Sequence, residues 1–259
     1  LADIPEARAG LLAVMGDGSF GTHNQARAAL ALADSSTLPG GYMGELLKQS
    51  RGDGSDSVAD RDGVMSLTPM LGVVARTQRK LNPAAAAAAK AELMGRLEKE
   101  TEPWRLAATL TGVGNIGDDS VLEPVKPFLT NADPRVREAA ASALRHVSPN
   151  RAAGVYQPTL TAETDPQVRE TLVRSYWNQS FSARLTPPEE VVGASVEALS
   201  TESNPDVLAA HIDLLGMAAQ KGDGSARTAL EGLLKAELAK RPWNLQLIQI
   251  LGQFTGGAR

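Results

Sequence analysis

The chain has 259 residues and a net charge of −4 at neutral pH, a balance that argues against a general nucleic-acid binder. Apolar residues make up 42% and charged residues 22%, which suits a folded chain, while aromatics reach only 4% and alanine is abundant, so helices can pack in thin layers. Cysteine is absent, which excludes disulfides, thiolate metal sites and cysteine catalysis, and no apolar run reaches the roughly 18 residues of a membrane-crossing helix.

The opening residues Leu1 to Glu6 lack a basic leader and a starting methionine, and read as a processed or excised boundary. Pro5 followed by Ala7, Leu11, Leu12 and Met15 predicts a helix over 4–15, ended by the Gly16-Asp17-Gly18-Ser19 turn. A second helix starts at Thr22 or Asn24 and directs Ala26, Ala29, Leu30 and Leu32 inward; a short third holds Met43, Leu46 and Leu47. Residues 49–63 are dominated by Gly, Ser and Asp and offer no face to pack, which predicts a flexible loop. Helix resumes over 64–79, with Pro69 bending it or marking its true start. Asn82-Pro83 then caps a helix that runs through six alanines, Ala84 to Ala89, to Leu93, Met94 and Leu97. Glu102-Pro103-Trp104 opens its partner through Leu110, glycines over 112–117 break it, and 118–129 follows.

A repeat now organises the chain. Asp133-Pro134-Arg135-Val136-Arg137-Glu138 returns 32 residues later as Asp165-Pro166-Gln167-Val168-Arg169-Glu170, and Asn204-Pro205-Asp206-Val207 is a weaker third copy. In each copy an Asp or Asn can cap a helix N-terminus, and a proline fits the first helical position. Val136 and Val168 begin a buried stripe that continues through Ala140 and Leu144, and through Leu172 and Tyr176. Arg137 and Arg169 fall at equivalent places and can reach the aspartate of a neighbouring unit, so Asp133, Arg137, Asp165 and Arg169 are read as a structural polar ladder. Further helices are predicted over 191–199 after Pro187-Pro188, over 206–219 and over 226–240. Pro242-Trp243 opens a last one, 245–251, echoing Pro103-Trp104. A period of roughly 30–45 residues with two helices per unit marks an α-solenoid. The expected fold is therefore all-α, a right-handed double-layer α-α superhelix of roughly 14–16 helices forming one domain over residues 1–259. The chain ends without a polar capping unit, which reads as a piece of a longer parent.

Motifs that would carry chemistry fail on context. Gly112-Val113-Gly114-Asn115-Ile116-Gly117 spells a dinucleotide-binding fingerprint, but such a site needs a preceding strand, and the spacing of Trp104 to Leu110 is helical. The glycines are better read as ending one helix in a left-handed turn and starting the next. Asp53, Asp56, Asp60 and Asp62 make an acidic loop without the order of a calcium-binding hand. Arg51-Gly52-Asp53 is a three-letter match to an adhesion motif and carries no weight. His23, His146 and His211 lie in different helices with no metal partner one turn away, and His146 is read as a helix C-terminal residue favoured as a cation. No catalytic constellation, cofactor site or metal site is read from the sequence.

The run Leu106 to Leu129, with its Leu-Thr-Gly-Val-Gly-Asn-Ile-Gly turn, followed by the helix Pro134-Arg-Val-Arg-Glu-Ala-Ala-Ala-Ser-Ala-Leu-Arg145, resembles the α-helical domain of the large lipid transfer proteins. These are the vitellogenins, the microsomal triglyceride transfer protein and apolipoprotein B; generic HEAT repeats share the same D-P-x-V-R-x-A-A core. The resemblance implies a non-enzymatic helical scaffold in a lipid-handling, secreted or cell-surface assembly. Its concave face would hold a β-sheet domain of the same parent, with lipid reached only through that assembly. The departures are the absence of cysteine and of any strand-rich region. The other reading is a HEAT-repeat adaptor that binds a protein partner and has no lipid role. A continuous exposed apolar strip on the concave face would favour the first, and a mostly charged one the second.

Overall fold

The computed structural model describes residues 4–240, which contain thirteen α-helices joined by short turns and no β-strand. The predicted helix over 245–251 lies outside the described residues. Described residues fall into two compact units that meet in sequence between His146 and Val147. Each is an all-α solenoid of stacked helical hairpins, built in two layers.

In the first unit, one layer is α2 (Thr22–Ala33), α4 (Val58–Thr77), α6 (Pro103–Asn115) and α8 (Pro134–Ala143), each packed beside the one before. Across from it lie α1 (Pro5–Gly16), α3 (Tyr42–Arg51) and α5 (Pro83–Lys99), with the single turn α7 (Leu122–Val125) completing the last hairpin. Prolines at the first turn of α1, α5, α6 and α8 cost no hydrogen bond there and fix where each helix begins. Asn82 caps α5 by accepting the Ala85 N–H at 3.1 Å. Buried side chains tie successive hairpins to one another's backbones. The Tyr42 hydroxyl donates to the Ala29 carbonyl at 2.9 Å, and the Gln78 amide donates to the carbonyls of Ala33 and Ser35 at 2.8 and 3.0 Å.

Three expectations change here. The helix expected over 64–79 begins at Val58, because Ser57 caps it through the Asp60 N–H, so Pro69 lies inside α4 rather than at its start. The stretch outside helix is accordingly 52–57 rather than 49–63. The helix expected over 118–129 is broken into two 3₁₀ turns around α7, since Pro124 and Pro127 each remove an N–H that a continuous helix would use.

The second unit places α10 (Pro166–Ala183) and α12 (Pro205–Gln220) in one layer. The other layer is α9 (Pro149–Ala162), α11 (Glu189–Leu199) and α13 (Gly224–Lys240). Its apolar centre joins Val192, Leu215, Ala218, Ala219, Ala226 and Leu230. Tyr156 and Tyr176 meet with ring centroids 4.9 Å apart; their hydroxyls reach Ser195 Oγ and the Pro149 carbonyl. Helix α9 is not among the helices predicted above, although Ser148-Pro149 precedes apolar residues at Ala152, Val155, Tyr156 and Leu160.

Candidate functional site

The glycine run ends a helix as expected only at Gly117, whose φ of +74° makes the left-handed turn that closes α6; Gly112 and Gly114 are instead buried inside that helix. A methyl group added at Gly112 would stand 2.7 Å from Leu93 Cδ2 and 3.1 Å from the Thr68 carbonyl oxygen, and one at Gly114 would stand 2.6 Å from Ala143 Cα. From the α4 side, a methyl group at Gly72 would overlap the Gly112 carbonyl outright. The run therefore lets the backbones of α4, α6 and α8 touch. Asn115 locks the same crossing, donating to the Pro69 carbonyl at 3.1 Å and accepting from the Arg145 guanidinium. Among the described residues this is packing, with no strand beside it.

Across the same three helices lies a groove of about 450 Å³. Residues one helical turn apart line it on every helix: Arg61 and Met65 on α4, Trp104, Ala107 and Thr111 on α6, Arg135, Ala139 and Ser142 on α8. Trp104 is half-buried at its centre, with the Arg105 and Arg61 guanidinium carbons 4.5 and 5.5 Å from the ring centroid. Each arginine is held from outside the groove. Arg61 makes a two-pronged pair with Asp56 at 2.8 and 2.6 Å, Arg105 reaches Asp60 at 3.3 Å, and Arg135 pairs with Asp133 at 2.6 Å. Asp56 and Asp60 of the acidic loop thus position arginines around the indole. Asp60, whose carboxylate is 2% exposed, also accepts the Asp53 N–H at 2.6 Å, and Asp56 adopts φ +55° to face Arg61. Among the described residues no group of three or more His, Cys, Asp or Glu is arranged to hold a metal ion. Arg51 of the adhesion-like triplet ends α3 and is bound to Glu92 on α5 at 3.0 Å.

The predicted ladder residues divide in role. Asp133 and Asp165 cap their own helices, accepting the N–H of Arg135 at 2.9 Å and of Gln167 at 2.8 Å. The Arg135 guanidinium beside it and the capped N–H hold the Asp133 carboxyl down to about 2. Arg137 and Arg169 donate to equivalent carbonyls, of Asn131 and Ala132 in one case and of Glu163 and Thr164 in the other, closing the end of the preceding segment. Arg169 also reaches a carboxylate of the following hairpin, and it is Glu202 rather than an aspartate, at 2.9 and 3.1 Å. Burial would raise the Glu202 carboxyl, but Arg169 and the N–H groups of Asn204 and Ser203 outweigh it and hold it below its ordinary value.

The sequence carries a signal for that acceptor. A side-chain acceptor sits two residues before the cap in Glu100-Thr-Glu-Pro103, Asn131-Ala-Asp-Pro134, Glu163-Thr-Asp-Pro166 and Glu202-Ser-Asn-Pro205. In each it accepts the N–H of the cap residue, at 3.1, 2.9, 2.8 and 2.7 Å. His146, read as a favoured cation, is the reverse: burial first, then Arg145 and Arg76, lower its pKa.

A family profile described as HEAT repeats matches residues 91–177, from within α5 to within α10. Among solved structures the chain is similar to the crystal structure of an engineered protein, at 16% identity over 98% of each chain and with a TM-score of 0.35. None of the curated proteins matches it. Nothing in these comparisons links the chain to the lipid transfer proteins.

Proposed function

We propose that the chain is a non-enzymatic, HEAT-like scaffold that binds a protein partner, and that the groove across α4, α6 and α8 is the docking face. The observation that carries this is Trp104: an indole set at the middle of three helices with two guanidinium groups over its ring, beside Met65, which is exposed. Trp and Arg are the side chains that most often dominate protein interfaces, because they combine a large apolar area with directed polar contacts. The match to HEAT repeats supports the same class of role. A lipid-binding strip would be continuous and apolar. This groove instead mixes Arg61, Arg135 and Glu138 with its apolar floor, and the other large exposed apolar side chains of this unit, such as Phe20, Leu30 and Leu81, do not line it.

Selection from a displayed peptide library against the whole chain tests the proposal. Enriched peptides should compete with one another and lose about 2 kcal/mol or more of binding to Trp104→Ala. That variant should keep its melting temperature within a few degrees. Enrichment of peptides that bind Trp104→Ala and Arg135→Glu as well as the original chain would remove the groove from the proposal.

A further inference from the structure

The second unit contains a cavity of about 350 Å³ where the end of α9, the start of α10, the end of α11 and α12 come together. Its polar walls come from Glu163, Arg169, Glu197 and Glu202, with Ser203 at the mouth and His211 at the floor. The charges there are unevenly matched. Arg169 and Glu202 neutralise each other in a two-pronged pair, and Glu163 accepts the Asp165 N–H. Glu197 stands exposed, and its side chain takes part in no ion pair among the described residues. His211 is 0% exposed, and neither of its ring nitrogens has a hydrogen-bond partner.

A buried ring with both nitrogens unpartnered is costly, and native interiors nearly always satisfy such groups with protein, water or ligand. We infer that this cavity is a binding site for a small organic cation, a guanidinium or primary ammonium group that sets its charge against Glu197 and places an N–H donor toward His211. A cation is favoured over an anion because the carboxylate without a partner lies at the cavity and the lone guanidinium is already engaged. The neutral ring supplies one bare nitrogen that accepts from such a donor. The volume falls within the roughly 300–1,000 Å³ of small-molecule sites. The cation has two sources with one chemistry, a free metabolite or the tip of a partner's Arg or Lys side chain.

The test follows the ring nitrogens of His211 by NMR in the full chain as methylguanidinium is added, and separately as an end-blocked Gly-Arg-Gly peptide is added. Saturable movement of the His211 signals, weakened about tenfold or more in Glu197→Gln, is the expected result. Tighter binding of the peptide assigns the source to a partner's side chain; binding no tighter than methylguanidinium assigns it to a free molecule. Because Glu197 is exposed, Glu197→Gln should melt as the original does, and a thermal scan of that variant guards against loss of fold. Signals that move no more than in sodium chloride of equal ionic strength, or equally in Glu197→Gln, would overturn the inference and leave a water-filled cavity.

Discussion

Arg169 and His211 show how single side chains set the energetics of the second unit. The Arg169 and Glu202 side chains are 19% and 7% exposed, so the pair is largely desolvated and removing one partner strands the other. Arg169→Ala should cost about 3 kcal/mol in chemical denaturation. The double substitution Arg169→Met with Glu202→Gln should cost clearly less, because no charge is left stranded. His211 gives a pH dependence of definite sign. Burial first, with Arg169 adding to it and Glu202 opposing, pushes its ring down to about 4 from an ordinary 6.5. Between those values the unfolded chain binds the extra proton, so stability falls as the pH is lowered through that window and is unaffected by this group above it. The shift corresponds to at most about 3 kcal/mol. His211→Leu should remove this slope while leaving stability near neutral pH nearly unchanged, since an unsatisfied polar ring is replaced by an apolar group. An identical pH profile in His211→Leu would assign the slope to other groups.

Elements are decided by residues with no side chain to speak of. Gly72→Ala and Gly112→Ala force backbone or Leu93 aside at the crossing of α4 and α6 and should each lower stability by about 3 kcal/mol. Gly95→Ala, on α5 with nothing within 4 Å of the added methyl group, should instead raise it by about 1 kcal/mol through helix propensity. Thermal or denaturant unfolding of the three variants decides between this and a simple turn role for the glycines. Helix placement was largely legible in the sequence, because Pro at the first turn and Asp or Asn before it mark starts by local chemistry, as at Asp133, Asp165 and Asn204. The close crossing was not legible, since a glycine that ends a helix and one that lets another backbone approach look alike until the neighbour is known. The groove escaped for the same reason. Trp104 reads as an ordinary helix opener, and only the stacking of α4 beside α6 brings Arg61 to its ring. Glu202 is hard to read from sequence because the cap Asn204 alone accounts for the helix start, and the acceptor two places before it shows its role only once Arg169 lies alongside.

At the scale of the whole molecule, a stack in which each hairpin touches only its neighbours opens from its weakest members instead of all at once. In the first unit α1 buries only Met15, whereas α4 buries ten residues along its length. Amide hydrogen exchange should therefore be far faster in α1 than in α4 and α6, and equal protection across them would indicate a single cooperative block. The touching backbones of α4, α6 and α8 have one more consequence. Helices in contact without intervening side chains have nothing left to compress, so the three that carry Trp104 form a stiff plate. A partner docking there, as proposed, would meet a surface already shaped by folding and bear little of the ordering entropy that usually weakens association.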